Sequence, residues 1–136
     1  MRDVNSDIKM GGISPLFIVR DVPATLAHYR DKLGFEITFQ GPEPDDVFFG
    51  IVQRGGAMLM FKDVDLDPIP NHTRDIGHGV ASWDAYVYVR DPDVLYEEFA
   101  ARNVDFKMRL CDNSDDLRGF EVRDLNGYVI YFGRPN

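Results

Sequence analysis

Residues 13–35 read ISPLFIVRDVPATLAHYRDKLGF and contain a strand pattern followed directly by a helix pattern. The first seven of them, through Val19, are mostly apolar and β-branched, as strands are. Asp21 is a good helix N-cap, and Pro23 falls in the first turn, where a missing N–H costs nothing. Apolar side chains then recur at helical spacing up to Gly34, which has the position of a C-terminal helix glycine. The segment therefore predicts a strand–helix unit.

The second half of the sequence repeats this order. Val19-Arg20-Asp21 and Val89-Arg90-Asp91 match residue for residue, 70 positions apart, and a proline again lies at the start of the helix pattern. Each half continues with three strand patterns. The sequence therefore predicts an α+β fold of two βαβββ modules, each forming a curved half-barrel sheet with a helix on its outer face.

Composition shifts along the chain indicate where the modules begin and end. The polar N-terminal residues end at Gly11-Gly12, and a long segment rich in aspartate and proline separates the two halves. The predicted organisation is an N-terminal arm (1–12), a first module (13–62), a linker loop (63–82) and a second module (83–136). Shorter loops are predicted at 41–46 and 111–117, where proline, glycine or aspartate are concentrated.

The charge balance excludes some classes of partner. Fifteen lysines and arginines face 23 aspartates and glutamates, which gives a net charge of −8. Binding to nucleic acid or to an anionic membrane surface depends on cations, so neither partner is expected. Cys111 is the only cysteine, which prevents an intrachain disulfide and fits a reducing cytoplasm. The N-terminus lacks the apolar region of a secretory signal.

Three stretches resemble the signatures of a known family. They are Phe17–Asp21 (FIVRD), His28–Phe35 (HYRDKLGF) and Phe120–Tyr128 (FEVRDLNGY). They resemble the strand-Asp, FY-x-x-x-LGF and F-x-V-x-DP-x-G motifs of the vicinal oxygen chelate superfamily, which includes glyoxalase I, bleomycin-resistance proteins and extradiol dioxygenases. His28 replaces the usual phenylalanine and Leu125 the usual proline. The resemblance extends over nearly the whole chain and implies the same two-module fold.

The resemblance also implies where a metal would bind. Metal enzymes of this superfamily hold a divalent ion with His and Glu side chains from the first and fourth strands of each module. The corresponding positions here are Ser14, Met60, Asp84 and Tyr131. Only Asp84 is a good donor for such an ion. We therefore expect no metal and no cofactor.

Other histidines do not replace the missing donors in this prediction. His28 falls off the apolar stripe of its helix pattern, so we expect it to face solvent. His72 and His78 lie in the linker, six residues apart, which is not a metal-ligand spacing on a helix or strand. A loop histidine remains an alternative as a general base that closes the pocket.

Alternation along the strands predicts the lining of the bowl. The predicted ligand-binding residues are Ser14, Met58, Met60, Lys62, Asp84, Tyr86, Tyr88 and Tyr131. Apolar and aromatic walls with a few polar groups are typical of a small-molecule pocket. Trp83 is expected on the helix side. A buried Asp84 carboxylate needs water, a basic partner or a ligand.

These observations predict a metal-independent protein of the bleomycin-resistance type, which sequesters a hydrophobic or cationic ligand and so contributes to antibiotic resistance. The resemblance implies a homodimer, and the single cysteine favours the cytoplasm. Whether modules pair within a chain or across the dimer stays open. The alternative is a divergent glyoxalase-like lyase or isomerase, or a dioxygenase-related enzyme. A metal-free enzyme of this kind could use Asp84 or a loop histidine as base and Tyr131 as acid.

Overall fold

The structure, a computed structural model, describes residues 9–74 and 83–136. The first half forms a four-stranded sheet in the order β1-β4-β3-β2, in which β1 and β4 are parallel and the other pairs antiparallel. Its strands are β1 (Leu16–Ile18), β2 (Glu36–Glu43), β3 (Asp46–Arg54) and β4 (Ala57–Lys62). Helix α1 (Val22–Leu33) connects β1 to β2 and packs on the sheet.

The second half repeats this arrangement in the order β5-β8-β7-β6, again with a parallel first pair. Its strands are β5 (Ala85–Tyr88), β6 (Phe106–Asp112), β7 (Leu117–Arg123) and β8 (Val129–Pro135), and its helix is α2 (Pro92–Ala101). A short 3₁₀ helix (Asn71–Arg74) precedes β5. The predicted α+β fold with two βαβββ modules is confirmed.

The predicted ends of α1 are also confirmed. The Asp21 carboxylate accepts a hydrogen bond from the backbone N–H of Ala24 at 3.0 Å, which satisfies one of the free donors of the first turn. Gly34 ends the helix with φ of +72°, a left-handed conformation that disfavours any side chain. Asp91 caps α2 in the same way.

Strand limits differ from the prediction in three places. The loop predicted at 41–46 is mostly strand and the one predicted at 111–117 is strand at both ends, because the antiparallel ladders continue to the pairs Glu43–Asp46 and Asp112–Arg118. Pro42 is tolerated there because β2 is an edge strand, where a missing N–H breaks no inner ladder. Conversely, β1 is only three residues long. Composition marked these turns correctly but overestimated their length.

The two halves contact each other through α1 and the turn between β7 and β8. The Tyr29 hydroxyl donates to the Asp124 carboxylate at 2.6 Å, and the Tyr128 hydroxyl donates to the carbonyl of Ile18 at 2.6 Å. All four residues except Ile18 are buried. Each half also has its own core between helix and sheet, for example Phe99 edge-on against two rings of β7 and β8. Neither α1 nor α2 has the length and apolarity that crossing a membrane demands.

A second connection joins β3 to α2. The Arg54 guanidinium binds the Glu98 carboxylate through two parallel hydrogen bonds of 2.6 and 2.9 Å. Arg54 also donates to the carbonyl of Leu33 at 2.8 Å. The hydrogen bonds from Arg54 hold the pKa of Glu98 below its ordinary value of 4.5. The pair therefore stabilises the contact between the halves at neutral pH.

Glu98→Gln is expected to lower the free energy of unfolding by about 1 kcal/mol at pH 7, because a bidentate but one-third exposed ion pair is lost. Since the folded-state pKa is lowered, this contribution is present above pH 4.5 and is lost as the pH falls through the folded-state pKa. Urea denaturation of wild type and variant at pH 7 and in acid checks both expectations. Glu97→Gln, at the exposed neighbouring position, is the matched control. An equal loss in both variants contradicts the prediction.

Candidate functional site

Edge strands border the region between the halves. Among the described residues, β1 pairs only with β4, and β5 pairs only with β8. Leu16 on β1 is 51% exposed and Tyr88 on β5 is 64% exposed. The chain thus presents two unpaired strand edges that carry apolar or aromatic side chains.

The face of the first sheet opposite α1 is rich in methionine. Leu59 and Phe61 of β4 are buried against the helix, whereas Met58, Met60 and Lys62 between and beyond them are partly exposed. In the strand register, Met60 lies beside Leu16 of β1 and Ile51 of β3. The predicted alternation of β4 therefore holds in the structure.

The face of the second sheet opposite α2 carries three aromatic rings in contact. Tyr86 and Tyr131 stack with ring centroids 5.4 Å apart and planes at 11°. Trp83 lies 5.5 Å from Tyr86 and 5.7 Å from Tyr131. The expectation that Trp83 faces the helix is wrong. Trp83 precedes β5, so strand alternation does not set its direction.

Tyr131 is fully buried although it lies on this open face. Its ring lies over Gly119 and Gly133, which are opposite each other in β7 and β8. Within the part of the chain that the structure describes, its hydroxyl has no hydrogen-bond partner. Burial raises the pKa of Tyr131, so the phenol stays protonated at neutral pH. It is a hydrogen-bond donor without an acceptor.

Asp84 has a partner of a kind that the sequence did not suggest. One carboxylate oxygen accepts from the backbone N–H of Asn71 at 2.7 Å, and the other accepts from that of Val129 at 2.8 Å. The carboxylate therefore ties the linker to β8. Two charge-assisted bonds to backbone donors satisfy it without water, a basic side chain or a ligand.

A cleft of about 750 Å³ lies between the two halves. The first half lines it with Pro15, Phe35 and the turn between β3 and β4, and the second half with all of β5 and with Leu95 and Phe99 of α2. Because β5 is an edge strand, side chains from both of its faces border the cleft. The volume is in the range of sites for drug-sized ligands.

The cleft brings together three of the eight predicted ligand-binding residues, namely Met58, Tyr86 and Tyr88. Asp84 instead borders a second cavity of about 290 Å³. The other four do not line either of these two cavities; they are Ser14, Met60, Lys62 and Tyr131. Tyr131 stacks on Tyr86, which does line the cleft.

The sequence interpretation missed two arginines at the cleft, Arg54 and Arg90. Arg54 belongs to the Arg54-Gly55-Gly56 hairpin signal, and Arg90 belongs to the repeated Val-Arg-Asp motif. The repeated motif could therefore have drawn attention to Arg90, but we interpreted it only as evidence of an internal duplication.

The residues present do not fit the divalent metal that the resemblance implies. Both oxygens of Asp84 are occupied by backbone donors, and Ser14, Met60 and Tyr131 offer a hydroxyl, a thioether and a protonated phenol. The described residues contain no group of three or more His, Cys, Asp and Glu side chains that could hold a metal ion.

The histidines add no further donors to this set. His28 is half-buried rather than solvent-facing, and burial lowers its pKa. Its Nε2 atom has no partner among the described residues. His78 and the side chain of His72 lie outside the described part of the chain, so the loop histidine proposed as a base is not located.

Solved structures with the same fold include antibiotic-binding proteins. The bleomycin-binding protein of bleomycin-producing Streptomyces verticillus, in complex with copper(II)-bleomycin, is 29% identical with a TM-score of 0.68, covering 95% of this chain and 99% of that one. TioX from Micromonospora sp. ML1 is 20% identical with a TM-score of 0.66, covering 92% and 100%. A bleomycin resistance determinant encoded on transposon Tn5 is 20% identical with a TM-score of 0.66, covering 93% and 99%. The last two show likeness of fold alone.

A search of curated proteins found no match. In a comparison with protein families, residues 13–132 match the one described as the Glyoxalase/Bleomycin resistance protein/Dioxygenase superfamily. This match covers both sheets, both helices and all three signature stretches. The chain therefore belongs to the glyoxalase/bleomycin resistance protein/dioxygenase superfamily, the vicinal oxygen chelate proteins.

Proposed function

We propose that the protein binds and sequesters a small organic molecule without a metal. The observation that carries the proposal is the cleft of about 750 Å³ between the halves, with walls of aromatic and aliphatic side chains. The Streptomyces verticillus relative binds copper(II)-bleomycin. By analogy, the ligand here is an antibiotic-like molecule, and its sequestration in the cytoplasm protects the cell.

Of the two ligand classes that the sequence predicted, the cleft favours a hydrophobic one. No aspartate or glutamate is among the described residues that line it. Tyr86 and Tyr88 offer ring faces for stacking, worth about 0.5–1.5 kcal/mol per aromatic pair. Next to Tyr86 in the aromatic cluster lies Tyr131, whose hydroxyl has no acceptor among the described residues.

We further propose that two copies form a dimer through the edges of β1 and β5. Each edge leaves backbone N–H and C=O groups without strand partners in the described chain, and such edges attract another strand. Ile13, three residues before β1, lines the cleft and is 95% exposed. A second copy that covers this region would bury Ile13 and Leu16 and would close the open side of the cleft.

The alternative enzyme function has less support. A metal-dependent reaction lacks a donor set among the described residues. A metal-free reaction would need Asp84 or a loop histidine as a base. The two oxygens of Asp84 accept backbone hydrogen bonds that organise the linker, and the loop histidine side chains lie outside the described residues. No observation in the described residues favours a reaction over binding.

A ligand in the cleft is expected to raise the melting temperature by about 5–10 °C at a concentration 100 times its Kd, because it stabilises only the folded state. The screen uses bleomycin-type glycopeptides, with and without copper, together with planar aromatic drugs. EDTA is expected to leave the melting temperature of the purified protein unchanged. A drop of several degrees with EDTA, or stoichiometric metal in the purified protein, contradicts metal independence.

A pair of variants ties binding to the cleft. Tyr88→Ala removes an exposed ring that lines the cleft and is expected to weaken binding of the best ligand about tenfold while changing stability little. Leu125→Ala removes a side chain of similar exposure, 54%, that does not line it. If both variants bind like the wild type, the ligand lies elsewhere.

A further inference from the structure

The cleft has a charge opposite to that of the whole protein. The chain carries a net charge of −8, yet among the residues that the structure describes, the only charged side chains that line the cleft are Arg54 and Arg90. In a protein with 23 acidic residues, a site of this size whose described lining has no carboxylate is an unexpected arrangement. The charged groups of this lining are therefore both positive.

One of the two arginines is already neutralised. Both terminal nitrogens of the Arg54 guanidinium donate to the Glu98 carboxylate, and one of them also donates to the carbonyl of Leu33. An anion that approached it would meet a compensated charge. Arg54 therefore contributes shape and little positive potential to the cleft.

Arg90, in contrast, has no acidic partner among the described residues. Its side chain is exposed at the cleft, between the end of β5 and the N-cap of α2, and it forms no hydrogen bond or ion pair with residues 9–74 or 83–136. An unpaired guanidinium has five donors in a planar fork that matches a carboxylate or a phosphoryl group.

The internal repeat supplies a comparison for Arg90. Arg20 occupies the same position after β1 in the first half, and it binds Asp65 at 2.7 Å and Asp67 at 3.0 Å. The same motif therefore has a neutralised arginine in one half and, among the described residues, an unneutralised arginine in the other. Only the second one faces the cleft.

Resting on the function proposed above, we infer that the ligand is an amphipathic anion. Its apolar or aromatic body lies in the cleft against Met58 and Tyr86, and its carboxylate, sulfonate or phosphate group binds Arg90. A charge-assisted, two-pronged hydrogen bond fixes the orientation of the ligand. The same guanidinium repels a cationic analogue, so specificity comes from both attraction and repulsion.

A matched series of fluorescent probes tests the charge preference. The three probes share the pyrene ring and the butyl chain and differ only in the end group: 1-pyrenebutyrate is an anion, 1-pyrenebutanol is neutral and 1-pyrenebutylamine is a cation. We expect the anion to bind the wild-type protein at least tenfold more tightly than the alcohol, and the amine to bind most weakly. The preference for the anion should decrease with added salt.

Variants assign the preference to one residue. Arg90→Gln is expected to reduce the affinity for pyrenebutyrate about tenfold, to that of the alcohol, and to leave the affinity for the alcohol unchanged. Arg90→Lys should keep part of the preference for the anion, because lysine retains the positive charge but cannot form the two parallel hydrogen bonds of a guanidinium. Arg20→Gln, at the equivalent position of the first half, should bind all three probes like the wild type.

The outcomes separate this inference from the function on which it rests. If the three probes bind equally, or if Arg90→Gln weakens anion and alcohol alike, the charge inference is wrong while ligand binding in the cleft stands. If no probe binds and no compound raises the melting temperature, both are wrong.

Discussion

Asp124→Ala is expected to lower the free energy of unfolding by about 3–5 kcal/mol. The carboxylate is 6% exposed and accepts three hydrogen bonds: from the Tyr29 hydroxyl at 2.6 Å and from the backbone N–H groups of Asn126 and Tyr128 at 2.8 and 2.9 Å. Alanine leaves these buried donors without an acceptor, at about 1–3 kcal/mol each before relaxation. Urea denaturation at pH 7 measures the loss.

The pH dependence of stability distinguishes the charge of Asp124 from its hydrogen bonds. Burial raises the pKa of Asp124 from 3.8 to about 6, and the three hydrogen bonds only partly oppose this. The folded state therefore binds a proton more tightly than the unfolded state. Stability from this group is full below the unfolded pKa and is lost as the pH rises through the folded pKa.

Asp124→Asn is the variant that isolates this effect, because the amide keeps an acceptor for the turn and does not titrate. Relative to this variant, the wild type is expected to lose on the order of 2–3 kcal/mol between about pH 4 and pH 6 and to change little above. Parallel stability curves for the two proteins over this range would show that Asp124 titrates normally.

Gly119→Ala is expected to destabilise the protein by about 3 kcal/mol and to disturb the aromatic cluster. A Cβ atom there would overlap the carbonyl oxygen of Phe132 and would lie 2.7 Å from the Tyr131 hydroxyl. The carbonyl belongs to the neighbouring strand, so the clash cannot be relieved by a side-chain rotation. The strands must separate, and Tyr131 must leave its position over the glycine pair.

The single tryptophan reports on that movement. Trp83 lies 5.7 Å from Tyr131, so its fluorescence should change in the folded variant as well as on unfolding. Gly56→Ala is the matched control, because a Cβ atom at Gly56 meets nothing within 4 Å. It should leave stability and fluorescence unchanged or add a few tenths of a kcal/mol. Equal effects of the two substitutions would contradict the argument from close approach.

The fold was predictable because its signals are local. Asp21 and Gly34 mark the ends of α1 by their own side-chain and backbone properties, and the duplicated Val-Arg-Asp motif reveals the second module. The lengths of β2 and β6 were not predictable from composition, because a ladder with the neighbouring strand keeps polar residues extended. Pairing across strands overrides local preference.

The site was predictable only in part for the same reason. Tyr86 and Tyr88 line the cleft, but so do Ala85 and Val87 on the opposite face of β5, so alternation did not single them out. Alternation failed for Trp83, which lies outside the regular strand. The role of Asp84 depends on the backbone of Asn71, thirteen residues earlier. The difference between Arg20 and Arg90 depends on where the linker aspartates lie, which the repeat itself does not encode.

The hydroxyl of Tyr128 has a consequence for biosynthesis. It donates to the carbonyl of Ile18, 110 positions earlier, and accepts from the N–H of Ile69, so it joins three distant segments at one oxygen. While the ribosome is still translating the second half, Tyr29 and Ile18 have already emerged without these partners. The first half therefore lacks these contacts until the turn between β7 and β8 has been synthesised, so we expect the last step of folding to require both halves.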